Sequence, residues 1–89
     1  MSNYVCVTFG KQVFNTEYWD YKTNHYTQKQ AEKRGLSDLC IAGCFGYVVI
    51  KEYEDGGWEV VDELGYNNKF LITRKDGNYS IQPKPLALN

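Results

Sequence analysis

The chain has 89 residues, a hydrophobic share of 43%, a charged share of 24% and a formal net charge of −1. That length has room for one domain, residues 1–89, and the composition is that of a globular chain rather than a disordered one. The charge argues against a general nucleic-acid binder, which carries a basic face, and no apolar run approaches the ~20 residues of a transmembrane helix.

No signal-peptide pattern opens the chain. Its three cysteines are an odd number and too few for a disulfide scaffold, so the cytoplasm is the expected compartment. Eight tyrosines, four phenylalanines and two tryptophans give much buried area per residue, which partly offsets the small size.

Asn3 to Phe9 alternates Tyr4, Cys6 and Thr8 with Val5, Val7 and Phe9, the period of a strand, and Gly10 ends it. Both faces carry bulky residues, which places this strand inside a sheet rather than at its rim. Lys11 to Phe14 reads as a short continuation after a bend. Asn15 to Tyr26 has no clean period and is expected to be a loop. Its Tyr18, Trp19 and Tyr21 either fold back over the core or form a partner-binding surface, since Tyr and Trp dominate interface hot spots. Stacking on single-stranded nucleic acid would need interleaved bases, and only Lys22 and His25 are at hand.

Thr27-Gln28-Lys29-Gln30 matches a capping box and opens a helix. Ala31, Gly35, Leu39 and Ala42 fall on one stripe, so the helix is expected from Gln28 to about Ala42, with Gly35 approaching the sheet closely. A break near Gly35, with Ser37 capping a second turn, is the alternative. Gly46 to Leu64 then reads as a hairpin turning at Asp55-Gly56-Gly57. A loop at Asp55-Gly56 would pair Tyr53 with Trp58 and Ile50 with Val61, setting Glu52 against Glu59. A loop at Gly56-Gly57 would pair Lys51 with Asp62 and Tyr53 with Val60. The second is expected because it exchanges a like-charge pair for an opposite-charge one.

Gly65 to Asn68 is turn material, Lys69 to Arg74 a strand, and Asp76-Gly77 the turn into a last strand, Asn78 to Gln82, stopped by Pro83 and Pro85. The remaining tail is expected to be extended. The order β-α-β-β-β-β describes an α+β fold: an antiparallel sheet of about five strands with one helix packed across it. A small barrel of the last four strands plugged by the helix is the runner-up.

Chemistry is sparse. Cys40 and Cys44, with Cys6 and His25, lack the paired spacing of a zinc site, and apolar surroundings would raise rather than lower their thiol pKa values. Gly43 to Gly46 lacks the spacing of a phosphate loop, and no serine has a nucleophile-elbow context. No catalytic residue, metal ligand or cofactor site is therefore assigned. The charge pattern says more: Glu52, Glu54, Asp55, Glu59, Asp62 and Glu63 cluster with Lys51 as the only base among them. This is either a solvated sheet face that discourages edge pairing or a negative patch that steers the domain onto a basic partner.

A capped helix containing Gln30-Ala31-Glu32-Lys33, the hairpin Gly46 to Glu63 and a second Asp-Gly hairpin together resemble, in size and element style over residues 27–82, the small α+β inhibitor proteins of bacteriophages, anti-CRISPR and other host-takeover proteins among them. The resemblance implies a non-enzymatic viral protein that binds and blocks a host protein in the host cytoplasm, without a cofactor. It transfers no individual residue. The residues expected to meet a protein partner are Glu52, Glu54, Asp55, Trp58 and Glu59 on the hairpin and Tyr18, Trp19 and Tyr21 on the aromatic stretch. Two other readings stand beside it: a nucleic-acid module using Lys69, Arg74, Lys75 and Tyr79, and a homo-oligomer pairing through the last strand.

Overall fold

The computed structural model describes residues 3–85. The expected tail beyond Pro85 lies outside them. Six strands and one helix follow in the order β1 (Asn3–Lys11), β2 (Tyr18–His25), α1 (Gln28–Asp38), β3 (Cys44–Glu52), β4 (Trp58–Leu64), β5 (Phe70–Lys75) and β6 (Asn78–Pro83). The fold is α+β with antiparallel strands, as the sequence indicates. The strands divide into a four-stranded sheet, ordered β2-β1-β3-β4, and a separate β5-β6 hairpin. The barrel alternative does not form.

Three layers result. The main sheet takes α1 on one face and the β5-β6 hairpin on the other, which is why β1 and β3 carry apolar side chains on both sides. Toward the hairpin, Val5, Val7, Phe9, Val48 and Ile50 pack with Tyr79 and Ile81; toward the helix, Cys6, Tyr47 and Val49 pack with Ala31. Phe9 is the hub of the first layer, meeting the edges of Phe45, Tyr66 and Phe70 at ring distances of 6.4, 6.2 and 5.2 Å. Such edge-to-face pairs add to the area each ring buries. β1 lies between β2 and β3, inside the sheet as its two bulky faces require.

Four expectations are corrected. The stretch 15–26 is not a loop: Tyr18 to His25 pairs with β1 residue for residue, from Tyr4 with His25 to Lys11 with Tyr18. β1 accordingly runs through Gly10 to Lys11, and the short strand expected at Lys11 to Phe14 is absent. The helix stops at Asp38, with Leu39 as its C-cap, so Ala42 is exposed beyond it rather than on the stripe. Asp38 ends the helix with its carboxylate turned inward, toward Thr8 of β1.

The β3-β4 register is also corrected. Lys51 pairs with Glu59 and Glu52 with Trp58, whereas Val49 pairs with Asp62, so Val61 is the extra residue of a β-bulge. The bulge separates Glu52 from Glu59 and gives Lys51 an acidic partner. It thus achieves by local insertion the charge relief that the Gly56-Gly57 register would have given by sliding the strands.

Other local signals are realised. Thr27 accepts a hydrogen bond from the Gln30 N–H at 3.1 Å, and Gln30 Oε1 accepts from the Tyr26 N–H at 3.3 Å, one residue before the usual reciprocal partner. Asp76 and Gly77 both have positive φ, 53° and 80°, the twist a two-residue hairpin loop needs between Lys75 and Asn78. Gly35 faces Tyr47 so closely that a Cβ there would lie 2.3 Å from the ring.

Candidate functional site

The acidic turn follows from its residues. The Tyr53 N–H donates to the Gly57 carbonyl at 2.8 Å, the Gly56 N–H to the Tyr53 carbonyl at 3.1 Å, and Asp55 Oδ1 accepts from the Gly57 N–H at 2.8 Å. An aspartate that bonds the backbone two residues on stabilises such a turn in place of a backbone partner. Glu54, Asp55 and Glu59 are exposed around this tip, and Glu59 accepts a hydrogen bond from the Tyr53 hydroxyl.

Glu52 and Trp58, expected in the same surface, are half-buried and turned toward the second hairpin. Glu52 accepts from Asn3 Nδ2 at 2.7 Å and from the Tyr79 hydroxyl, and lies 3.6 Å from Arg74. Burial works against its charge. The hydrogen bonds from Tyr79 and Asn3, with the charges of Arg74 and Lys22, outweigh burial and hold the carboxyl below its ordinary range. Trp58 packs edge-on against Tyr79 at 5.5 Å in the hairpin-side core. Together these residues fasten the β5-β6 hairpin beneath the acidic turn, and Arg74 completes the link by donating to the Gly56 carbonyl at 3.4 Å.

Tyr18, Trp19 and Tyr21 stand on the opposite edge of the sheet. β2 and β4 are the two outer strands, three strand spacings or about 14 Å apart. Tyr18 lies at the end of β2 far from the acidic turn, beside Phe45 and Lys11. Trp19 and Tyr21 face the helix side and stack, with planes 16° apart and centroids 6.1 Å apart. The eight expected residues thus form two surfaces and a half-buried anchor, not one site.

The basic hairpin is divided as well. Tyr79 is 6% exposed and Arg74, though exposed, is engaged with Glu52 and Gly56, which leaves Lys69 and Lys75 as the exposed cations outside that link. The last strand is a poor edge for self-pairing: Asp20 accepts from the Ile81 N–H at 3.2 Å, and Pro83 has no N–H to offer. The cysteines are spread over separate elements. Cys6 is buried in the sheet, where burial pushes its thiol up to about 11; Cys40 is exposed after the helix, and Cys44 opens β3.

Sequence reasoning missed the polar group between α1 and the sheet. Asp38, 6% exposed, accepts from Thr8 Oγ1 at 2.9 Å and from Arg34 Nε at 3.1 Å to both oxygens, with Tyr21 beside it. A carboxylate at a helix C-terminus opposes the helix dipole. Burial opposes its charge too, yet hydrogen bonds from Tyr21, Thr8 and Arg34 win and keep the Asp38 pKa below its ordinary 3.8. The native state therefore favours the ionised form more than the unfolded chain does. Its stabilisation is complete above 3.8 and is lost as pH falls through that value and below. Asp38→Asn should lower the melting temperature at neutral pH and flatten the loss of stability on acidification. Thermal melts followed by circular dichroism down to about pH 3 check this, Glu52 supplying the slope that remains.

A hollow of about 270 Å³ lies between Asn3, Asn24, His25 and Tyr26. No described helix is long and apolar enough to cross a membrane. Compared with protein-family models, curated proteins and solved structures, the chain matches none.

Proposed function

We infer that the chain is a non-enzymatic protein-binding domain that docks on a basic surface of its partner through the β3-β4 turn. The observation that supports this is the fixed negative tip: Glu54, Asp55 and Glu59 stand exposed around one turn braced by the Asp55–Gly57 and Arg74–Gly56 hydrogen bonds. A charged surface ordered before binding costs less to immobilise on binding, and opposite charge accelerates encounter. The size and element style shared with small phage-encoded inhibitors support a narrower form of the reading. In that form the partner is a nucleic-acid-handling host protein, CRISPR-associated or other, and the acids occupy the place of nucleic-acid phosphates in the host cytoplasm.

The test is capture from a bacterial lysate at low and at high salt, with the native chain and with Glu54, Asp55 and Glu59 all changed to Lys. The expected outcome is a protein retained by the native chain at low salt, released by salt, and lost at least about tenfold by the triple variant. Equal retention by both chains would remove the acidic turn from the interface.

A further inference from the structure

The main sheet ends at β2, and no described strand pairs with its far side. The Gln12 N–H donates to the Glu17 carbonyl at 2.8 Å, which fixes the phase of the β1-β2 ladder. In that phase the backbone groups of Trp19, Tyr21, Thr23 and His25 face β1, while those of Tyr18, Asp20, Lys22 and Asn24 point away from the sheet. The other edges are blunted. β4 carries the Val61 bulge and a row of acids. On β5 the N–H groups of Phe70 and Ile72 are taken by the Asn67 carbonyl and the Tyr66 hydroxyl. On β6 the Ile81 N–H goes to Asp20. β2 carries neither a bulge against β1 nor a proline: it is eight residues long and runs in unbroken register with β1.

We propose that β2 pairs antiparallel with β2 of a second copy of this chain, about a twofold axis at Tyr21, to form a continuous eight-stranded sheet. The charge pattern of the strand selects both the partner and the register. Within the chain Asp20 Oδ2 accepts from Ser80 and Ile81, and Lys22 Nζ donates to the Gly77 carbonyl at 2.9 Å, which leaves Asp20 Oδ1 and the other ammonium protons of Lys22 for a partner. With Tyr21 opposite the partner's Tyr21, Asp20 meets the partner's Lys22 and Lys22 meets the partner's Asp20, two reciprocal opposite-charge pairs on one face. A shift of two residues either way sets Asp20 or Lys22 against its own copy. The outward backbone groups of Asp20 and Lys22 then form the hydrogen-bonded pairs next to the axis, as antiparallel geometry requires. On the other face the two Trp19–Tyr21 stacks meet. This surface is distinct from the acidic turn. In the dimer the two β4 strands lie at the outer edges, seven strand spacings or about 34 Å apart, so both turns remain accessible.

Sedimentation equilibrium of the native chain at concentrations up to about 1 mM should give the mass of two chains. Lys22→Pro removes an N–H that faces away from β1, so it should give a monomer with an unchanged far-ultraviolet spectrum. Asn24→Pro is the second variant of the same kind should the first fail to fold. Lys22→Glu and Asp20→Lys should each weaken the dimer at least about tenfold at low salt, and an equimolar mixture of the two should recover it, because both cross-strand pairs then carry opposite charges. A native chain of single mass at the highest concentration would overturn the proposal, as would a dimer indifferent to both proline variants. A monomer that instead takes up an added extended peptide along β2 would also overturn it, in favour of a peptide ligand.

Discussion

Phe9→Ala is expected to cost about 3–5 kcal/mol, the range for truncating a buried aromatic ring. The ring is 1% exposed and touches Phe45, Tyr66 and Phe70, which come from the start of β3, the β4-β5 connection and the start of β5. Its loss leaves a cavity where the sheet and the second hairpin meet, and those three partners sit on separate segments that cannot close in together. A domain of this size has about 5–15 kcal/mol in total, so the variant should be largely unfolded at moderate temperature if the native chain lies at the low end. Urea unfolding measures it. A loss under about 1 kcal/mol would mean that the layer repacks.

The second large effect is expected at Gly35. In an exposed helix Gly→Ala gains about 1 kcal/mol from propensity, so the sign here depends on what the new methyl meets. It meets the Tyr47 ring at 2.3, 2.5 and 2.7 Å. Tyr47 is 4% exposed, and its hydroxyl donates to Asp62 at 3.1 Å, so the ring cannot retreat without leaving that carboxylate. Overpacking of a filled interior costs about 1–3 kcal/mol, which equals or exceeds the propensity gain, so Gly35→Ala should be neutral to destabilising. Gly35→Leu adds three further carbons to the same contact and should cost more than about 3 kcal/mol, lifting α1 off the sheet. A shift in the Tyr47 near-ultraviolet signal, together with the urea midpoint, distinguishes local displacement from global loss. Stabilisation by Gly35→Ala would show that the helix slides freely over the sheet.

The contact at Gly35 was legible in the sequence because a glycine on the apolar stripe of a capped helix marks a point where a side chain would not fit. The two Asp-Gly turns and the burial of β1 on both faces were legible for a similar reason: each rests on a local preference that tertiary structure reinforces. β2 was missed although its signal was present. Trp19, Tyr21, Thr23 and His25 alternate with Tyr18, Asp20, Lys22 and Asn24, a period of two in which the helix-side face is built from half-buried aromatic and polar residues rather than aliphatic ones. An edge strand read by hydrophobicity alone looks like a loop.

The expected site separated for a related reason. Sequence proximity grouped Glu52 with Glu54, Asp55 and Glu59, but the alternation of a strand turns Glu52 toward the second hairpin, and only its distant partners Asn3, Arg74 and Tyr79 reveal that. The Val61 bulge was invisible from sequence because it inserts a residue that fits the strand pattern on either side. The Asp38 group joins residues from β1, β2 and α1, and nothing in their spacing announces it.

The second hairpin has a consequence for how this chain is made. Synthesis runs from β1 to β6, so all four strands of the main sheet and the helix over one face precede the element that covers the other face. Until β6 has been added, Val5, Val7, Phe9, Val48 and Ile50 lack Tyr79 and Ile81 above them, and the half-covered sheet is a sticky nascent species of the kind that chaperones hold. The domain therefore completes its interior with its last two described strands, and a ribosome that stalls in the β5-β6 turn leaves that core without Tyr79 and Ile81, the residues that close it.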